Sequence, residues 1–365
     1  MVEQTRNEFQ PDYAVHPGEV LTYELSLRGM NQNELAKRTG LTPKHIVSLV
    51  KGHSGITPET AIKLERALGM PVDYWLNLEA HYQEIQARLD EERRLDNDLS
   101  WLDRIPLRDM VKLGWIKKFN DKHEQLEEVL RFFGIASVRQ WKKMWPNLAV
   151  AFRQHNTHEV RPEAVSAWLR QGELAAAKIA CEPFDKDAFR EALDHIRGLT
   201  ELPPQDFIPH IQALCAEAGV AVVFVPSLPK TGVSGATRWL NSEKALIQLS
   251  ARYKSDDHLW FTFYHEAGHI LLHGKKELFL EGINGMDEEK EAEANSFAQK
   301  ELIPRKAFRR FTNEANFSRD AIIFFAQDIG IAPGIVVGQL QHSKLIGFNQ
   351  CNDLKRRYKW EHEDS

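Results

Sequence analysis

His265-Glu266-Ala267-Gly268-His269 lies inside Asp256–His273, a stretch whose apolar spacing is helical. Positions four apart on a helix differ by about 40° of rotation and about 6 Å of rise, so both imidazoles can reach one tetrahedral Zn2+. Glu266, beside the first histidine, is placed to contact a metal-bound water as general base. The flanks Leu259-Trp-Phe-Thr-Phe-Tyr264 and Ile270-Leu-Leu272 are almost wholly apolar, which predicts a buried helix. A buried His-Glu-His cluster without a cation would strand a carboxylate away from water.

The site needs a third ligand. His273 sits about 12 Å along the axis from His265, too far to share one ion. The metzincin third histidine would fall at Lys275, which excludes that class. The acidic stretch Asp287–Leu302 is the natural donor, with Ala294, Phe297, Ala298 and Leu302 as its apolar stripe. Glu291 lies about 45° from the stripe's centre and Glu293 more than about 100° away. Glu291 is therefore the expected ligand and Glu293 the alternative, while Glu288, Glu289 and Lys290 read as a solvated face. Asn295 can orient a histidine from behind.

Upstream of this helix the pattern is β. Val220–Val225 reads as a buried strand ended by Pro226 and Pro229, and Val233–Leu240 and Ala245–Ser250 follow at hairpin-like spacing. Residues 99–205 differ. They hold five of the nine tryptophans (Trp101, Trp115, Trp141, Trp145, Trp168) at helical spacing and close near Leu202-Pro203-Pro204. A charged run, Leu89–Asp98, reads as a helix end or connector. The expected architecture is multidomain and mainly α. It comprises an all-α domain at 1–95, a helical Trp-rich domain at 96–205, an α+β domain with a small sheet at 206–350 and a charged tail at 351–365.

Asn31–Gly52 has the pattern of a helix-turn-helix. Asn31 is a suitable N-cap and Glu34 would complete a capping box. Leu35 and Ala36 face inward, Gly40 breaks the first helix, and Thr42-Pro43 starts the second. Ile46, Val47, Leu49 and Val50 supply its buried side, leaving Lys44, His45 and Ser48 outward where a recognition helix touches base edges. Arg28, Lys37, Arg38, Lys44 and Lys51 stand against the single acid Glu34 in this segment, enough cations for several phosphate contacts.

Composition sets the outer limits. A length of 365 residues predicts two or three domains. With 42% apolar and 27% charged residues the chain is not of the disordered class. No apolar run approaches the roughly 18–20 residues of a bilayer span, and the first nineteen residues lack a signal-peptide core. Cys181, Cys215 and Cys351 are widely spaced and odd in number, as expected of thiols in a reducing cytoplasm. The formal net charge of −5 argues weakly against nucleic acid, but cations gather at 28–51 and acids at 287–293, so the sum conceals two unlike ends.

Two resemblances sharpen this reading. His16-Pro-Gly-Glu-Val-Leu21, Asn33-Glu-Leu-Ala-Lys37, Gly52, Ile56-Thr-Pro-Glu-Thr-Ala61 and Asp73-Tyr-Trp-Leu-Asn-Leu78 resemble HigA-type antitoxins of the XRE DNA-binding proteins, over about 13–85. The resemblance implies a five-helix domain that dimerises on a palindromic operator. Gln32 would hold a phosphate, and Thr42, Lys44, His45 and Ser48 would face bases or backbone, with Lys51 in the same basic surface. Phe261–His273, Glu291–Ala298, Leu302-Ile-Pro304, Ala245–Ser250 and Ile331–Gln341 resemble the ImmA/IrrE family of gluzincin-like zinc metallopeptidase domains, over about 206–345. That resemblance implies Zn2+ on His265, His269 and Glu291, a catalytic Glu266, and a peptidase that typically inactivates a DNA-bound repressor. Ala267 departs from the larger residue usual there. Tyr253, Tyr264 and Arg252 are the candidate oxyanion stabilisers. Together the resemblances imply a cytoplasmic DNA-binding regulator, the antitoxin and autorepressor of a toxin–antitoxin module, with operator DNA, a cognate toxin and a second copy as partners and no membrane. The alternative is an active zinc endopeptidase acting on a repressor or on itself.

Overall fold

The computed structural model describes residues 15–145, 160–250, 255–275, 278–281 and 288–358. The chain divides into two compact units, Met1–Leu99 and Ser100–Ser365.

The first unit contains five helices among the described residues: α1 (Pro17–Leu27), α2 (Gln32–Thr39), α3 (Pro43–Val50), α4 (Pro58–Leu68) and α5 (Val72–Asp98). Local chemistry punctuates them. Asn31, Thr42 and Thr57 each accept a backbone N–H at the start of their helices, which satisfies one orphan donor apiece. Gly40 and Gly69 end α2 and α4 in the left-handed region, at φ 69° and 80°. Leu21, Leu25, Leu35, Ala36, Ile46, Leu49, Leu64 and Trp75 form the core. The charged run at 89–98 is the end of α5, not a loop.

Two local expectations are corrected. Glu34 does not reach back to its cap; its carboxylate accepts from Arg38 Nε at 3.0 Å, because an i,i+4 guanidinium competes successfully for it. Val47 is 36% exposed, not buried. Ile46 and Leu49 suffice to seat α3, and one turn of an eight-residue helix leaves Val47 facing solvent.

The second unit begins with short helices: α6 (Leu107–Lys112), α7 (Lys122–Phe133), α8 (Val138–Met144), α9 (Pro162–Ala176), α10 (Lys186–Arg197) and α11 (Pro204–Glu217). The tryptophans here are fillers. Trp101 packs on Trp141 and Phe133 with ring centres 5.6 and 5.8 Å away, and Trp141 donates to Ser166 Oγ at 3.1 Å.

A four-stranded mixed sheet follows, ordered β1 (Val220–Phe224), β3 (Ala245–Leu249), β2 (Gly235–Trp239), β4 (Phe279–Glu281). β1 and β3 are parallel, with Val220 opposite Ala245; β2 runs antiparallel to both β3 and β4. The two hairpin strands fall where their periodicity placed them, whereas β4 had no signal, since three residues are too few to show alternation.

The segment read as a separate Trp-rich domain shares its compact unit with this sheet. Trp168 on α9 donates to Val225 O at 3.0 Å, Gln248 on β3 donates to Trp168 O at 2.7 Å, and Arg238 on β2 pairs with Glu173 at 2.5 Å. Gly172 permits the approach, because a Cβ there would collide with the side-chain amide of Gln248.

The remaining helices are α12 (Asp256–Leu272), α13 (Glu288–Leu302), α14 (Arg305–Asn313), α15 (Arg319–Ile329) and α16 (Pro333–His342). As its composition predicted, α12 is the buried one, continuously so from Thr262 to Leu271. Arg197 closes the far ends of two neighbours, donating to Leu302 O and Ile329 O at 3.1 and 2.8 Å, a favourable place for a cation. Residues 355–358 do not dangle: Asp256 N donates to Arg356 O at 3.0 Å, and Lys355 pairs with Asp257 at 2.6 Å. Among the described residues no single helix is long and apolar enough to cross a membrane.

Candidate functional site

Helices α12 and α13 lie side by side, and three side chains converge between them. His265 Nε2 is 3.0 Å from His269 Nε2 and 3.2 Å from Glu291 Oε2; His269 Nε2 is 3.5 Å from Glu291 Oε1. The histidines are about 1% exposed and Glu291 about a quarter exposed. Glu291, the residue nearer the apolar stripe, thus joins the cluster. Glu293 does not: it turns to His273, with Oε2 3.0 Å from His273 Nε2.

The outer partners determine where protons sit. His265 Nδ1 is 3.0 Å from Asn295 Oδ1, an acceptor, so His265 carries its hydrogen on Nδ1. His269 Nδ1 faces His273 Nδ1 at 2.9 Å. Burial, with His265 and His273 alongside, pushes the His269 pKa down to about 2, so its ring is neutral.

This donor set fits a metal. Two imidazole nitrogens and a carboxylate approach within hydrogen-bonding distance of one another, and Glu291 Oε1 is buried without a hydrogen-bond partner. Three electron-pair donors turned on one point repel each other unless a cation lies among them. Softness and number, two nitrogens and one oxygen with room for a water, suit a divalent transition ion in an open site.

Glu266 is fully buried beside β2. Thr237 Oγ1 donates to its carbonyl at 3.0 Å, and a Cβ on Gly235 would stand 2.6 Å from its Oε1. The strand thus fits this side chain only because position 235 lacks one. No sequence signal marked Gly235 or Thr237, since Gly-Ala-Thr-Arg-Trp is an ordinary strand.

A cavity of about 380 Å3 reaches the cluster, lined by His265, Glu291 and Asn295 and by the apolar Phe261, Ile303 and Ile335. Of the candidate oxyanion stabilisers, Tyr264 points away: its buried hydroxyl donates to Leu193 O at 2.8 Å. Arg252 and Tyr253 lie outside the described residues.

In the first unit, Lys44 on α3 is exposed, with His45 and Ser48 partly exposed and Lys51 exposed just beyond the helix end. Gln32 opens α2 and is partly exposed. Thr42 is exposed, but its oxygen is already engaged with His45 N at 3.2 Å, and Ser48 Oγ lies 2.6 Å from Ser54 Oγ. The basic surface is smaller than the sequence count implied. Arg28 is paired with Glu24 and donates to Leu68 O at 3.0 Å at the end of α4, and Arg38 is paired with Glu34. Lys37, Lys44 and Lys51 form no ion pair among the described residues.

Comparison with known proteins agrees with both units. A helix-turn-helix family model matches residues 25–75, and the model of the IrrE N-terminal-like domain, a peptidase family, matches residues 215–334. Virulence-associated protein I of Dichelobacter nodosus is 36% identical over 80 residues, 22% of this chain and 74% of that protein. The HTH-type transcriptional regulator YddM of Escherichia coli is 32% identical over 63 residues, 17% of this chain and 67% of that protein. Among solved structures, an addiction module antidote protein of the HigA family from Coxiella burnetii is 31% identical. It covers 23% of this chain and 91% of its own, with a TM-score of 0.22.

Proposed function

The chain belongs to the helix-turn-helix regulators and also carries an IrrE N-terminal-like domain, and from that premise we propose that it is the antitoxin and autorepressor of a toxin–antitoxin module. The observation that carries the reading is α3. Its short, capped helix is seated by Ile46 and Leu49 and leaves Lys44, His45, Val47 and Ser48 on its outer side. Lys44 and Lys51 supply phosphate contacts, and a dimer would place two such helices on the half-sites of a palindrome. A small toxin is the second partner, and the free cysteines accord with a cytoplasmic setting. Mobility-shift measurements on DNA upstream of the gene test the proposal: a specific complex that weakens with salt supports it, and its absence refutes it.

Zinc is the metal we assign to His265, His269 and Glu291, since two imidazoles and one carboxylate with an open position are a catalytic zinc set. Bound zinc supplies a Lewis acid that activates water near neutral pH.

Glu266 favours a second reading, an active endopeptidase, because a purely structural metal site needs no buried carboxylate beside its first ligand. In that reading Glu266 accepts the proton of the attacking water and returns it to the leaving amine. Asn295 holds His265 in register, and the cavity beside Phe261 and Ile335 receives part of the substrate. Incubation with zinc and with candidate repressors, or with a second copy of the chain, tests it. Cleavage that Glu266→Gln abolishes supports it, and cleavage indifferent to that change defeats it.

A further inference from the structure

His273 is the residue the metal set leaves over. Its side chain is 3% exposed, and both ring nitrogens are engaged. One meets Glu293 Oε2 at 3.0 Å and the other meets His269 Nδ1 at 2.9 Å. Phe279 covers the pair, stacked on His269 with ring centres 4.0 Å apart and 5.3 Å from His273.

The proton positions follow by elimination. A carboxylate only accepts, so His273 Nε2 must carry the hydrogen that points at Glu293. The tautomer of His273 with its hydrogen on Nε2 offers a bare Nδ1 across the 2.9 Å contact with His269 Nδ1, and a bare nitrogen can only accept. His269 must therefore carry its own hydrogen on Nδ1, and its Nε2 is left with a lone pair facing His265 and Glu291. One carboxylate two residues beyond the metal ligand thus dictates which nitrogen of His269 is bare.

We propose that His273 and Glu293 are positioning residues that lock His269 in the Nδ1–H tautomer and thereby set how tightly the site holds its metal. Without them both tautomers of His269 are open to it, and the Nε2–H form cannot ligate. Asn295 does the same for His265, so each histidine ligand has its own outer partner and neither shares it. The inference rests on the reading of this cluster as a metal site.

Two measurements on the full chain test it: zinc affinity by competition with a chromophoric chelator, and the ring-nitrogen shifts of His269 after 15N-histidine labelling. His273→Phe should weaken zinc binding about 10–100-fold, and Glu293→Ala should weaken it in the same direction. His273→Gln, whose amide can accept from His269 and donate to Glu293, should restore most of the loss. In the metal-free protein, His269 should show one Nδ1–H tautomer in the wild type and a mixture in His273→Phe. Glu293 is half exposed, so Glu293→Ala remains informative if His273→Phe fails to fold. Wild-type affinity and unchanged His269 shifts in the variants would overturn this inference alone. A wild-type chain that binds neither zinc nor cobalt would overturn the metal reading together with it.

Discussion

His265 Nδ1 and Asn295 Oδ1 stand 3.0 Å apart across two adjacent helices, α12 and α13. The contact orients the first histidine of the cluster from the helix that also supplies its carboxylate. Asn295→Ala removes the acceptor without touching a ligand. Zinc affinity should fall about 10–100-fold with circular dichroism unchanged, and Asn295→Asp, which keeps an acceptor, should stay closer to the wild type. Equal affinity for Asn295→Ala would detach the contact from metal binding.

The two neighbouring glutamates should behave differently. Glu291→Gln removes a charged donor from the convergence point, whereas Glu293→Gln keeps an acceptor for His273 Nε2. Equilibrium dialysis against zinc should show near-complete loss in the first and a change within about threefold in the second. Loss in Glu293→Gln with retention in Glu291→Gln would exchange their roles.

Burial raises the Asp256 carboxyl to about 6, with Asp257 adding to the effect and hydrogen bonds from the Arg356 and Asp257 backbones opposing it. The native state therefore binds this proton more tightly than the unfolded chain does. The group's contribution makes the fold less stable as pH rises from about 4 through about 6, and is constant above that. Asp256→Asn removes the cost. Its urea midpoint should exceed the wild type's at pH 7.5, by up to about 3 kcal/mol in stability, and the advantage should fade toward pH 4. A difference that does not depend on pH would contradict the assignment.

Gly40 ends α2 at φ 69°, with open space where a Cβ would stand, so only backbone strain opposes a side chain there. Gly40→Ala should cost about 1 kcal/mol by denaturant unfolding. Gly198, also in open space but at φ −69°, is the control, and Gly198→Ala should be neutral or slightly stabilising.

What the sequence made legible was what local spacing encodes. The i,i+4 histidines, the apolar flanks of α12 and the stripe position of Glu291 needed only a helical wheel, and Asn295 followed as one turn beyond. The helix-turn-helix was marked by Asn31, Gly40 and Thr42, each acting within its own turn. What depended on distant packing stayed hidden. That α9 lies on the sheet rests on Trp168 and Val225, 57 positions apart. The role of His273 required knowing where Glu293 turns. The basic count at 28–51 included Glu34, which pairs with Arg38, but missed Glu24, outside that window, which pairs with Arg28.

The purified chain should bind the region upstream of its own gene at least about a thousandfold more tightly than unrelated DNA, with an affinity that falls steeply with salt. Lys44→Ala should weaken the complex and lower the salt slope by about one. Binding to the upstream region no tighter than to unrelated DNA, or unchanged by Lys44→Ala, would contradict the autorepressor reading.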